Sequence, residues 1–208
     1  MTTDTRNLGE LAQQIAAALN DETVVTLESE GFTFEAPEDG ERHYVRLTHP
    51  DGRRFSINAT WNGNGKLHVS GDYPKCDGKY MGPREWGVIG YNEQAPTINV
   101  SAERELHALA RDIARRFLIA YTELYRACVA KQQDQAAYRA QVNGAAAQLA
   151  ALIPGAELRE RDGTQSVHFY RTEQGYGDMM AYSDTVNMDL RSLPLALALK
   201  VAAVLGER

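Results

Sequence analysis

Cysteine is scarce and long apolar runs are absent from this chain of 208 residues. Its two cysteines, Cys76 and Cys128, share no CxxC spacing, so neither a disulfide framework nor a zinc cluster is predicted, and reduced thiols are expected. No stretch approaches the roughly 18 consecutive apolar residues of a membrane span. The first residues also lack the basic and apolar regions of a secretory signal. These absences predict a cytoplasmic protein that does not enter a membrane.

Recognisable cofactor and metal motifs are missing as well. The five histidines do not follow the HxH, HxxxH or HExxH spacings of metal sites. The glycines form neither the GxGxxG nor the GxxxxGKS/T pattern, so no phosphate-binding loop is predicted. The sequence therefore predicts no metal and no cofactor, and it favours a non-enzymatic function.

Basic residues are too few for the usual nucleic-acid-binding surface, because the net charge is −6. The first 60 residues account for all of it, with 11 acidic and 5 basic side chains. One acidic run with no basic residue inside it comprises Glu28, Glu30, Glu35, Glu38, Asp39 and Glu41. Such a run usually forms a solvated edge that discourages strand addition. The alternative is an acidic patch that mimics a phosphate backbone, as in anti-defence proteins of phages and mobile elements.

What the chain does contain is a regular succession of helical and strand patterns. An apolar stripe of period 3–4 predicts a first helix over residues 7–20. Alternation of period 2 then predicts short antiparallel strands separated by turns rich in glycine and proline. The predicted strands are 23–28, 31–35, 43–48, 53–61, 66–70, 97–100, 156–161, 164–171, 177–183 and 185–190. A last, apolar helix is predicted over 193–205.

One long central helix is predicted over residues 102–131. Ser101 stands at the N-cap position, and Glu103 and Glu105 fall in the first turn, where carboxylates favour the helix dipole. The buried stripe is predicted to consist of Leu106, Leu109, Ile113, Phe117, Ala120, Leu124 and Cys128. A polar stretch, KQQDQ, is predicted to separate this helix from a second helical segment over 134–153.

Two recurring segments predict an internal duplication. The strand TINV at 97–100 and the helix after it match TVNM at 185–188 and its helix without a gap. Residues 12–26 match residues 146–160 in the same way. The predicted fold class is therefore α+β, with two tandem helix–antiparallel strands–helix repeats related by a pseudo-twofold axis and helices packed on one face of the sheet. The expected domains are 1–131 and 132–208.

Residues 71–94 interrupt this plan, and the second repeat has no counterpart of them. The segment is irregular and rich in glycine, proline and aromatic residues. Aromatic rings beside cations suit the anchoring of a protein partner or stacking on bases. The predicted contact surface comprises Trp61, Tyr73, Lys75, Lys79, Tyr80, Arg84, Trp86 and Tyr91. The alternative is that the two tryptophans cover the core.

Three functions remain open from the sequence. The favoured one is a binding module for a protein partner, such as an anti-defence accessory of a phage or mobile element. The second is a small enzyme with a site around His68, Asp72, Tyr73 and Cys76, in which Lys75 favours the thiolate. The third is nucleic-acid binding through the arginines of helix 102–131, which are Arg104, Arg111, Arg115 and Arg126. The sequence predicts no oligomeric state.

Overall fold

The computed structural model describes residues 5–35, 44–59, 65–161, 163–172, 175–182 and 184–206. These residues form helices and antiparallel sheets, so the predicted α+β class is confirmed. The chain divides into two compact units, Met1–Gln132 and Gln133–Arg208. Across the described residues, no helix combines the length and the apolar character needed to cross a membrane.

In its described residues, unit 1 begins with one helix and seven strands, and the first part of the long central helix follows them. In chain order they are α1 (Thr5–Leu19), β1 (Thr33–Glu35), β2 (Tyr44–Thr48), β3 (Arg54–Ala59), β4 (Lys66–Asp72), β5 (Lys75–Cys76), β6 (Lys79–Tyr80) and β7 (Thr97–Ser101). Five of the strands form an antiparallel sheet in the order β1-β2-β3-β4-β7. The small β5–β6 hairpin lies outside that sheet, in the connection from β4 to β7. Apart from Gly71 and Asp72, which end β4, segment 71–94 is therefore an insertion between two neighbouring strands.

One face of this sheet is apolar, because side chains alternate between the two faces along each strand. Its buried side chains are Val45, Leu47, Phe55, Ile57, Leu67, Val69, Ile98 and Val100. They form one core with the buried residues of α1 and of the following long helix. The opposite face carries polar and charged side chains, several of which belong to the candidate site.

The predicted central helix is confirmed, and it is longer than expected. The segments α2 (Leu106–Ile113), a π-helical segment (Ala114–Leu118) and α3 (Ile119–Leu152) form one helix of 47 residues. The predicted break at 131–135 is wrong, because a polar run of good helix formers continues a helix. The predicted N-cap at Ser101 is also wrong. Glu105 caps the helix, and its carboxylate accepts hydrogen bonds from the backbone of His107 and Ala108.

The π-helical segment changes which side of the helix is buried. A π turn inserts one extra residue, and the buried position after this segment is residue 121 rather than residue 120. Leu118 and Tyr121 are fully buried, whereas Ala120, which was predicted to lie in the stripe, is exposed. Four other members of the predicted stripe are buried as predicted: Leu109, Ile113, Phe117 and Cys128.

Unit 2 contains the C-terminal part of α3, a second antiparallel sheet and a final helix. Its elements are β8 (Ala156–Arg161), β9 (Thr164–Thr172), β10 (Gly175–Ala181), β11 (Val186–Arg191) and α4 (Leu195–Gly206). The strand order is β11-β10-β9-β8, and all four strands lie within two residues of their predicted positions. Asn143 of α3 accepts a hydrogen bond from the backbone of Gln165 at 2.8 Å, which fixes the helix beside β9. The buried apolar side chains of this unit are Val142, Ala146, Val167, Phe169 and Ala181.

The predicted strand at 23–28 is wrong, because these residues form successive turns. Short polar side chains bond to the local backbone there and compete with a strand ladder. The carboxylate of Asp21 accepts from the Thr23 amide at 2.8 Å, and the Ser29 hydroxyl accepts from the Thr26 amide at 2.7 Å. The five-stranded and four-stranded sheets do not establish the duplication, which stays a prediction.

Candidate binding site

Two arginines share one aspartate on the polar face of the unit 1 sheet. The register places Arg54 of β3 directly opposite Asp72 of β4. The Arg54 Nε donates to Asp72 Oδ2 at 2.9 Å, and Arg46 Nε lies 3.6 Å from the same oxygen. These side chains point away from the core because their neighbours along the strands point into it. The sheet itself therefore fixes this charged cluster.

Tyr80, at the end of the β5–β6 hairpin, stands beside the cluster and is 56% exposed. The Arg54 Nη2 donates to its hydroxyl at 3.0 Å, and the Lys75 Nζ lies 4.2 Å from its ring centroid. The hydrogen bond with Lys75 lowers the pKa of the Tyr80 hydroxyl, and Arg54 acts in the same direction against the opposing effect of burial. Two cations therefore hold one exposed aromatic ring in place.

A cleft of about 410 Å³ opens next to Tyr80, since the three residues Arg54, Asp72 and Lys75 line it. Its remaining lining residues are Thr48, His49, Gly52, Arg53, Tyr73, Pro74 and Tyr125. The backbone of Lys75 accepts a hydrogen bond from the Gln132 side chain at 2.8 Å, so the long helix supports this side of the cleft. The volume is that of a pocket for a small molecule or for a side chain of a partner. We call the cleft together with Tyr80 the Tyr80 site.

Tyr73 and Trp86, which were predicted to lie in the contact surface, belong to the core. The Trp86 indole donates to the backbone oxygen of Pro74 at 3.1 Å. The ring of Tyr73 packs edge-on against Tyr121, with 5.7 Å between the centroids. Burial raises the pKa of the Tyr73 hydroxyl far above its usual range, and the neighbouring Cys128 acts in the same direction. These two rings anchor the insertion and present little surface to a partner.

Tyr91 and Arg84 form a second aromatic–cation pair in the insertion. The ring of Tyr91 is 83% exposed, and the Arg84 guanidinium lies 5.1 Å from its centroid. Arg84 also donates to the backbone oxygen of Glu93 at 2.9 Å and lines a shallow depression of about 360 Å³. Lys79 is exposed in the hairpin, and Trp61 lies outside the described residues. The exposed members of the predicted surface are therefore tyrosines and cations.

The residues predicted to form an enzyme site make hydrogen bonds and ion pairs with other residues. The His68 Nδ1 lies 3.0 Å from the side-chain oxygen of Asn99, and Asp72 is engaged by its two arginines. The Cys76 thiol lies 3.6 Å from the carboxylate of Asp77. Each of these contacts joins a predicted residue to one outside the predicted set. In the described part of the chain, no three His, Cys, Asp or Glu side chains are grouped so that they could hold a metal.

The predicted acidic run is described only in part, since Glu38, Asp39 and Glu41 lie outside the described residues. The Glu28 carboxylate is engaged by Arg53 at 3.1 Å and by Arg126 at 3.2 Å. Glu30 is exposed, and Glu35 ends strand β1. Because residues 23–30 form turns, Glu28 and Glu30 do not share a strand face. The described part of the run therefore includes one carboxylate that is neutralised within the chain.

Arg53 is the buried centre of this charge network, with 3% of its side chain exposed. It donates to the Asp51 carboxylate at 2.7 Å and to the Thr122 hydroxyl of the long helix at 2.7 Å. Partial burial alone would raise the pKa of Asp51, but hydrogen bonds from Arg53 and His49 outweigh burial and lower this pKa. A buried arginine is tolerated because charged and polar groups accept its hydrogen bonds. Arg53 thus ties the β2–β3 turn, which forms one wall of the cleft, to the helix.

The arginines predicted to bind nucleic acid are partly neutralised. Arg104 forms an ion pair with Asp112, and Arg126 pairs with Glu28. Arg111 and Arg115 are exposed. Two of the four guanidiniums are therefore already engaged by carboxylates of the same chain.

Sequence reasoning missed Arg46, Arg54 and Tyr125 as residues of the site. Alternation along β2, β3 and β4 would have placed Arg46, Arg54 and Asp72 on one polar face. Tyr125 gave no such signal, because the π-helical segment shifts the face that the helix presents.

Comparison with known proteins identifies no relative: no family model, no curated protein and no solved structure matches the chain.

Proposed function

We propose that this chain is a non-enzymatic binding module that recognises a protein partner through the Tyr80 site. The observation that supports it is the exposed Tyr80 ring, held by Arg54 and Lys75 at the rim of the 410 Å³ cleft. Tyrosine and arginine are enriched among the residues that dominate protein interfaces. A ring already held in place loses little side-chain entropy on binding. The exposed Tyr91 and Arg84 provide a second contact in the same insertion.

A protein partner fits this site better than nucleic acid does. The net charge of the chain is −6, and the Asp72 carboxylate lines the cleft beside Arg54 and Lys75. A site with both signs of charge beside an aromatic ring matches a polar protein surface, whereas phosphate backbones require an excess of cations. Nothing in the described contacts favours a second function.

The test is recovery of a partner from lysate of the source cells by tagged wild-type protein and by Tyr80→Ala. We expect a stoichiometric partner with the wild type and a weakening of roughly 30-fold with Tyr80→Ala, since a central interface residue contributes about 2 kcal/mol. Tyr170→Ala is the matched control, because Tyr170 is an equally exposed tyrosine held by a cation, Arg159, in unit 2. Equal recovery by wild type and Tyr80→Ala would reject the site, provided that both variants keep the wild-type circular dichroism spectrum.

A further inference from the structure

The last helix of unit 2 is apolar on all sides and yet exposed. Lys200 is the single charged residue among the twelve of α4. The four side chains Leu195, Leu199, Val204 and Leu205 are 61–76% exposed. A helix that is apolar all round is normally buried. The described residues of unit 2 leave this helix largely uncovered.

The strand before this helix is also incompletely covered. Along β11, Val186, Met188 and Leu190 share the face of the buried residues Val167 and Phe169, as the register through β10 shows. Met188 nevertheless remains 51% exposed. Within the described residues β11 bonds to β10 alone, so its outer edge offers unpaired backbone groups.

The two edge strands of this sheet differ in the number of charged side chains, four in β8 and two in β11. β8, at the other edge, has the sequence AELRER, whose charged side chains discourage strand addition. β11 has the sequence VNMDLR, and its three apolar residues fall on one face. The edge that is open to pairing is therefore the strand that directly precedes the uncovered helix in the chain.

A lipid surface does not fit this patch. Helices that lie on membranes carry a basic polar face opposite the apolar one. α4 has no polar face and only one lysine, and its twelve residues are too few to span a bilayer. A partner with a matching apolar surface and a matching strand edge is required.

We propose that this partner is a second copy of the chain, which pairs through β11 and covers α4. Two identical antiparallel edges pair naturally about a twofold axis. An axis at Met188 places Val186 opposite Leu190 of the second copy, so the apolar face continues across the interface. It also places Asn187 opposite Asp189 of the second copy, so no two like charges face each other.

The exposed apolar surface is of the size that a dimer needs. A large apolar side chain contributes about 100 Å² when fully exposed. On that scale the exposed parts of α4 and β11 amount to roughly 350 Å² per copy from large side chains alone. The backbone of β11 and the alanines of α4 bring the total for two copies to the order of 1,000 Å², which is the lower limit of specific interfaces.

The test is the molar mass of the full chain by size exclusion with light scattering, from about 1 to 100 µM, a range that covers dimers of moderate affinity. We expect twice the chain mass of 23.1 kDa. Met188→Lys places two like charges at the axis, and Leu199→Lys charges α4; each is expected to weaken the dimer at least 100-fold. The matched controls are Asn187→Lys, on the opposite face of β11, and Lys200→Gln on α4, and both are expected to leave the dimer intact.

A monomeric wild type at 100 µM would overturn the proposal, whether α4 folds back on its own sheet or waits for a different protein. A dimer that persists in both Met188→Lys and Leu199→Lys would overturn it too. If these variants do not fold, Met188→Cys in a Cys76→Ser background replaces them. Mild oxidation should join two copies of it through residue 188, while Asn187→Cys in the same background should stay unlinked; equal linking of the two would also reject the interface. This inference does not depend on the Tyr80 site.

Discussion

Tyr121 of the long helix limits the size of the side chain that fits at the end of β4. Its hydroxyl accepts from the Arg54 amide at 2.9 Å and lies 2.7 Å and 2.9 Å from the backbone oxygens of Arg54 and Asp72. Its ring covers Gly71, where an added Cβ would lie 2.2 Å from ring atoms. Tyr121 thus fixes the backbone of Arg54 and Asp72, which belong to the charged cluster beside the cleft.

Gly71→Ala is therefore expected to destabilise the protein by about 1–3 kcal/mol, the usual cost of overpacking a core. Gly9→Ala is the matched control, because a Cβ at Gly9 makes only an ordinary contact with Phe34 at 3.8 Å. Inside helix α1 that change should stabilise by about 0.5–1 kcal/mol. Urea denaturation measures both. A Gly71→Ala variant as stable as the wild type would show that Tyr121 does not hold this position.

The two cysteines are expected to differ in reactivity. Burial raises the pKa of the Cys128 thiol to about 11, so about one molecule in a thousand carries the thiolate at pH 8. Cys76 is only partly buried. A colorimetric disulfide reagent at pH 8 should therefore titrate one thiol in the native protein and two in denaturant. Cys76→Ser should abolish the native reaction, and a fast reaction that remains in this variant would contradict the burial of Cys128.

At the scale of elements, the π-helical segment decides which residues of the long helix face the core. Leu118 is fully buried, whereas the next residue, Ile119, is 52% exposed. Leu118→Ala should cost about 2–5 kcal/mol, and Ile119→Ala less than about 1 kcal/mol. Denaturation of the two variants under the same conditions provides the comparison. Equal losses would mean that the buried stripe follows an ordinary α-helix here.

Most elements could be predicted from the sequence, because alternation and turn residues are local signals. The strands of unit 2 and the hairpin strands of unit 1 follow directly from them. The π-helical segment could not be predicted, since Ala114–Leu118 has the composition of an ordinary helix. Residues 23–30 have the apolar pattern of a strand. They form turns instead because the side chains of Asp21 and Ser29 bond to the local backbone.

The site was predicted less well than the fold. Composition singled out segment 71–94 as a candidate, but it could not separate Trp86 and Tyr73, which are buried, from Tyr80 and Tyr91, which are exposed. That difference depends on how the insertion packs against Tyr121 and other distant residues. Arg54 was missed because its role arises from a cross-strand partner, Asp72, 18 positions away.

At the scale of the whole molecule, net charge distinguishes binding of a protein from binding of nucleic acid. The net charge is −6, and Arg104 and Arg126 are engaged by Asp112 and Glu28. We expect no retention on heparin at about 0.15 M salt, where weak surface attraction is screened. Retention that is lost in an Arg111→Ala, Arg115→Ala double variant would instead support nucleic-acid binding. Lys79→Ala in the insertion serves as a charge-matched control.

The strand order of unit 1 has a consequence for biosynthesis. In β1-β2-β3-β4 each strand bonds to its neighbour along the chain, so hairpins can form as they leave the ribosome. Two hydrogen-bond partners of these strands are synthesised much later. Thr122 bonds to the buried Arg53, and Tyr121 bonds to the backbone of Arg54. A nascent chain that ends before Leu106 therefore lacks the long helix that covers the apolar face of its sheet, and its Arg53 lacks the hydrogen bond to Thr122. We expect this stage of synthesis, rather than pairing of the strands, to be when the protein most needs a chaperone.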